Sequence, residues 1–364
     1  MEGYQFGFGK WLRALALVVS LGVFACVPEP RFADPTFPGG GRSGILLLNE
    51  GQWTQNNSSL DFYDETDNFR RYPDVFRAAN GFALGDVGHS LLRILDTLYI
   101  VVNNSQRVYK LQLPGLRVLG RLDLPPGASP RRVVALSADE YWVNSLLDAR
   151  IYRFDPRTMQ LLGEIPLVPH PEEMLRVGNR VFVTCGSYPG AVGRKLATLD
   201  TQTGTVLGYL DLPIENPGPL VALADGRVAV GLRGNYLNTG CGVTLLNPLT
   251  GVVDTTLRLT GSLYDMMALP GNRLLLNTDS AYTLLRLDNL QVQYNWLSRA
   301  TLGARSSDLL YSTAYDSLRN ELYVFNAGFG AQNATGLVLD PETQQVKRRF
   351  EAGLFPGELL FYRP

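Results

Sequence analysis

The chain has 364 residues, and its 33 Lys and Arg nearly cancel 34 Asp and Glu. No block of like charge exists, which excludes nucleic acid and other polyanions as expected partners. Hydrophobic residues at 45 % against charged residues at 18 % suit a globular all-β chain and exclude a disordered one.

The first elements are addressing rather than fold. Lys10 and Arg13 precede the apolar run Ala14 to Phe24, which is too short to span a bilayer comfortably. Val23-Phe24-Ala25-Cys26 follows and resembles a bacterial lipobox. Residues 1–26 are therefore expected to be a lipoprotein signal peptide, with Cys26 lipidated as the anchor to the membrane; an ordinary secretory leader is the alternative. Residues 27–42 carry Pro28, Pro30, Pro35, Pro38 and Gly39-Gly40-Gly41, the composition of an extended tether.

From residue 43 to 364 one pattern recurs. A β-rich run ending on a polar residue occurs at Ile45–Asn49, Leu98–Asn103, Tyr141–Asn144, Val181–Thr184, Val228–Gly231, Leu274–Asn277 and Leu322–Asn326. Several short strands per unit at a spacing of about 40 to 50 residues mark propeller blades, so residues 43–364 are expected to form a seven-bladed β-propeller. The next strand in most units stops on Asp or Asn and a turn follows, as at Asp155-Pro156, Asp200-Thr201, Asn247-Pro248 and Asp340-Pro341. These acids are expected to cap turn N–H groups rather than hold metal. Inner strands are expected at Arg131–Leu136, Glu172–Val177, Gly218–Leu223 and Leu263–Leu269, three of them opened by Pro130, Pro171 and Pro217. The first unit lacks an inner strand, and Gly357–Tyr362 is expected to supply it and close the ring.

The repeat also sorts the loops. Those after each second strand share one face with those before each inner strand. On that face lie Asn49, Glu50, Trp53, Asn103, Asn104, Asn144, Tyr188, Arg233, Asn235, Tyr236, Asn277, Asp279, Asn326 and Phe329, with His89, Arg131 and His170 at the mouth of the central channel. Amides plus aromatics suit a large, polar, uncharged ligand, although Asn at a strand end also serves local backbone. Glu172 and Glu173 are expected to place one side chain at most in the channel, because strand neighbours point to opposite faces. Cys185 and Cys241 lie in polar loops of adjacent blades; either a disulfide between them or two free thiols is open. No nucleophile elbow, zinc helix motif or phosphate loop is present, so neither catalysis nor a bound cofactor or metal is expected.

Leu84-Gly85-Asp86-Val87-Gly88-His89-Ser90, Leu98-Tyr99-Ile100-Val101-Val102-Asn103-Asn104-Ser105, Ser129-Pro130-Arg131-Arg132, Pro171-Glu172-Glu173-Met174 and Leu48-Asn49-Glu50-Gly51 together resemble the YncE-like seven-bladed propeller lipoproteins. That group includes BtuG-like surface lipoproteins, which capture cobalamin beside a TonB-dependent outer-membrane transporter. The resemblance implies an outer-membrane binding protein, facing the cell surface or the periplasm, with a corrinoid as first ligand and such a transporter as partner. Two other readings stand beside it. One is an envelope protein-interaction platform; the other is a lactonase-type enzyme using Glu50, Asp86, Glu172 and Glu173 near the mouth.

Overall fold

The computed structural model describes residues 41–186, 192–235, 240–279, 281–330 and 332–364. They form seven four-stranded antiparallel sheets arranged as blades around a central channel, the seven-bladed propeller that the repeat leads one to expect. The second strands, Gly44–Asn49, Thr97–Val102, Tyr141–Ser145, Arg180–Cys185, Val228–Leu232, Arg273–Thr278 and Glu321–Asn326, coincide with the repeated runs to within two residues. Their burial is nearly complete, because both faces of each pack on a neighbouring blade. Seven apolar clusters result, one per blade interface; Trp142 and Met174, for example, share the cluster between blades three and four. Each fully buried Leu, Ile or Phe contributes roughly 1.5–3 kcal/mol, so these interfaces dominate the stability of the ring.

Closure occurs at the predicted place. Pro356–Tyr362 pairs antiparallel with Gly44–Asn49, Leu360 opposite Leu46 and Tyr362 opposite Gly44, as the inner strand of blade one. On the face away from the channel mouth, Arg363 seals the seam: it reaches Glu65 at 2.9 Å and Asp316 at 2.6 Å. The Asp turns behave as capping turns. Asp200 accepts from the N–H groups of Gln202 and Thr203, Asp340 from those of Glu342 and Thr343, and Asn247 from those of Leu249 and Thr250. In the turn after Asp155, the Arg157 side chain and its N–H push the Asp155 carboxyl down to about 2.

Blade one departs from the repeat. Its outer strand is only Arg70–Tyr72, and a helix, Val75–Asn80, follows with Asp74 as N-cap and Gly81 as C-cap. A second short helix, Arg299–Leu302, leads from blade six to blade seven. None of the described helices is long and apolar enough to cross a membrane.

Candidate functional site

Every inner strand carries the same irregularity at the mouth of the channel. Its register slips once against the second strand, at Gly88/Ser90, Pro130/Val133, Pro171/Met174, Pro217/Leu220, Leu263/Asp265, Leu310/Thr313 and Pro356/Glu358. A bulge inserts residues without ladder partners and turns their side chains out of strict alternation. The inserted residues are His89, Arg131 and Arg132, Glu172 and Glu173, Gly218 and Pro219, Tyr264, Tyr311 and Ser312, and Gly357. This corrects the expectation that only one of Glu172 and Glu173 could face inward: both line the channel mouth, as do both Arg131 and Arg132.

All of these except Gly218 and Pro219 line a cavity of about 550 Å³, completed by Glu50, Arg233, Asp265 and Glu358 among others. Two glycines make room for long side chains. A Cβ on Gly357 would meet Glu50 Oε1 at 2.6 Å, and one on Gly218 would meet Arg233 Nε at 2.5 Å. Where the bulge residue has no side chain, the loop of the same blade fills the place with a charged one.

The cavity is ionic. Arg132 Nε donates to Glu173 Oε2 at 2.7 Å while its Nη1 donates to Glu358 Oε2, so one guanidinium ties blade four to blade one across the channel. Glu172 sits 3.6 Å from Arg131 and 3.6 Å from Arg233. Burial works against charge on Glu172, yet the two guanidiniums outweigh it and hold the carboxyl below its ordinary value. Glu50 is different: its Oε2 accepts from the Tyr311 hydroxyl at 2.7 Å, and burial pushes it up to about 7. Burial also raises Asp265 and Glu358. His89 is driven well below its ordinary value, first by burial and then by the field of Arg131, Arg132 and Arg233, and so stays neutral.

The other predicted residues are distributed differently. Asn103 Nδ2 donates to Ser129 Oγ and to the Pro130 carbonyl, both at 2.9 Å. Asn144 makes the same latch to Pro171 and Glu172, and Asn277 to Leu310 and Tyr311. Asn49 donates to Ser59 Oγ and Asn326 to Asp308 Oδ2. At blades two, three and six the Asn ring serves the fold, clipping a second strand to the next inner strand, while Oδ1 of Asn49 and of Asn277 is buried without a hydrogen bond and Asn277 borders the smaller cavity that Asp279 also borders. Asn104 braces Asp86, which also accepts from the Thr54 N–H and does not line the cavity. Asn235 and His170 lie outside the lining too; the His170 carbonyl accepts from the Gly186 N–H. Asp279 borders a smaller cavity of about 270 Å³ beside the first, accepting from the Ser262 N–H and the Tyr264 hydroxyl.

Trp53 and Phe329 are solvent-facing rim aromatics, 58 % and 65 % exposed. Gln52 Nε2 donates to the Gly330 carbonyl and joins their two loops, and the Arg305 guanidinium lies 4.9 Å over the Phe329 ring. Tyr188, Tyr236 and Cys26 lie outside the described residues. Cys185 and Cys241 are separate buried thiols, not a disulfide; Sγ of Cys185 faces the Val183 carbonyl and Sγ of Cys241 the Thr260 carbonyl. Arg132, Tyr264, Asp265, Tyr311 and Glu358 were not singled out from sequence. The signal was there, in the residue pair after each proline or leucine that opens an inner strand.

No family profile matches the sequence, and no curated protein matches it. Solved structures do. A quinoprotein alcohol dehydrogenase-like protein from Bacteroides thetaiotaomicron is similar with a TM-score of 0.67 at 16 % identity, over 87 % of this chain and 78 % of that one. The hydrazine synthase of Kuenenia stuttgartiensis is similar with a TM-score of 0.58 at 15 % identity, over 72 % of this chain and 85 % of that one. A dihydro-heme d1 dehydrogenase in complex with DHE gives 0.55 at 11 % identity, over 87 % and 75 %. At such identities these likenesses carry the fold alone, that of a β-propeller, and the seven blades are those of this chain's own sheets.

Proposed function

We propose that the chain is a ligand-capture propeller of the bacterial cell envelope rather than an enzyme. In this reading Cys26 carries the lipid anchor, the mouth face receives a large polar molecule, and a TonB-dependent outer-membrane transporter takes it onward. A corrinoid is the first ligand to test, on the sequence resemblance to YncE-like and BtuG-like lipoproteins. The observation that supports capture is the pairing of a polar cavity with an aromatic rim. Trp53, Phe329 and Tyr264 offer flat exposed area, while the cavity behind them presents carboxylates and guanidiniums. A corrinoid is too large to enter about 550 Å³ whole; its ring would lie on the rim aromatics and its amide arms would reach inward. Amide N–H groups suit Glu and Asp, and amide carbonyls suit Arg.

Cyanocobalamin mixed with the purified chain should then travel with it through gel filtration. The double variant Trp53→Ala, Phe329→Ala should lose the coloured ligand, whereas Leu249→Ala, on an exposed turn of the opposite face, should keep it. Equal retention by both variants would remove the rim from the site. No retention by the unaltered chain would leave the interaction platform as the better reading.

A propeller enzyme has one observation in its favour: a buried carboxyl near neutral pKa, Glu50, held by Tyr311, suits proton transfer. The lactonase form needs converging metal ligands. Glu172 and Glu173 are taken up by guanidiniums, and among the described residues no group of three or more His, Cys, Asp or Glu converges.

A further inference from the structure

The cavity walls carry acids on both sides, Glu172 and Glu173 standing beside the guanidiniums of blade three, and they differ in which polar groups lack a matching partner. On the side of blades six, seven and one, two buried carboxyl groups have neutral partners. Glu50 accepts from the Tyr311 hydroxyl, and Asp265 accepts from the Met266 N–H at 2.8 Å and the Thr313 hydroxyl at 3.1 Å. Neither forms a salt bridge among the described residues. On the side of blades two to four the shortage is reversed. Arg131 Nε is buried without a hydrogen bond, since Glu172 Oε2 at 3.6 Å is beyond bonding reach, and His89 Nε2 is buried without one as well. Buried polar groups left unmatched are costly, and of the six such side-chain atoms among the described residues these two line the cavity, where a bound molecule would complete them.

We propose that the cavity itself is a binding site for a small zwitterion, its ammonium group toward Glu50 and Asp265 and its carboxylate toward Arg131 and His89. An amino acid supplies both groups at once. A plain cation would leave Arg131 Nε unmatched, and a plain anion would leave Glu50 and Asp265 without a cationic partner. A volume of about 550 Å³ accommodates a free amino acid with room to spare. The inference rests on the mouth being the ligand site, and it is independent of the corrinoid.

The test is isothermal titration calorimetry on the full chain with glycine, β-alanine, γ-aminobutyrate and ε-aminocaproate, each beside the alkylamine and the alkanoate of equal length. At least one zwitterion should bind, with its two singly charged analogues weaker by about tenfold or more, the loss that follows from stranding one buried ionic partner. Asp265→Asn should bring that zwitterion down to the affinity of its alkanoate, and Arg131→Gln down to that of its alkylamine. Circular dichroism and thermal transitions of both variants establish that they fold, and the comparison of probes on the unaltered chain needs neither variant. Equal binding of a zwitterion and its analogues, or no binding by any member up to about 10 mM, would overturn the site. If cyanocobalamin is retained while no zwitterion binds, capture stands and this site falls; the reverse outcome sinks the corrinoid and leaves the site.

Discussion

The Tyr311 hydroxyl donates to Glu50 Oε2 at 2.7 Å, joining the inner strand of blade seven to the loop beyond the second strand of blade one. The bond lies beside the pairing of the first and last described strands, Gly44–Asn49 and Pro356–Tyr362. It sets a carboxyl that titrates near neutrality inside the mouth, and a pH dependence follows.

Burial raises Glu50 from 4.5 to about 7 in the folded chain. A raised carboxyl keeps its proton only while folded, so its contribution is full below the ordinary value and is lost as pH rises through about 7. The difference corresponds to about 3 kcal/mol. Glu50→Gln, which resembles the protonated form, should match the unaltered chain near about pH 5 and exceed it by about 3 kcal/mol near about pH 8 in urea unfolding. Parallel pH profiles would contradict the assignment.

Asn144 is fully buried, accepts from the Arg132 N–H at 2.9 Å and donates to two carbonyls of the next blade. Asn144→Ala leaves buried backbone groups unmatched and should cost about 3 kcal/mol by chemical denaturation. Asn104→Ala, whose partner is a loop carboxylate, should cost about 1 kcal/mol. Ligand affinity should be unchanged in both, because these amides face the fold.

Arg132 neutralises Glu173 and Glu358 together. Arg132→Met strands two partly buried carboxylates and should destabilise the ring by about 2–3 kcal/mol at neutral pH. Without the guanidinium the Glu358 carboxyl, already raised by burial, rises further, so the deficit should shrink as pH falls and it takes up a proton. A deficit independent of pH would mean lost packing, not lost charge.

Deleting residues 355–364 removes the inner strand of blade one and the Arg363 clamp. An open ring exposes two sheet edges and one apolar interface. The truncated chain should lose its cooperative thermal transition, as read by circular dichroism; an unchanged midpoint would refute closure as the source of ring stability.

Much of this was legible in the sequence because the repeat states one pattern seven times. Alternation, polar strand ends and Asp turns placed the second strands, the turn face and the closing strand. The bulges were not legible, since strict alternation forbids what they do: they bring Glu172 and Glu173, or Arg131 and Arg132, to one surface. The Asn ring was read from its position, but its direction depends on the next blade, as Asn103 and Pro130 show. The helix Val75–Asn80 is marked in the sequence only by Asp74 and Gly81, a cap pair that stands outside the strand repeat.

Capture of a corrinoid at the mouth is tested most directly by equilibrium dialysis of cyanocobalamin against the full chain at micromolar concentration. The expected result is saturable uptake of about one equivalent, reduced by at least about tenfold in the Trp53→Ala, Phe329→Ala chain. Equal cyanocobalamin on both sides of the membrane would contradict it.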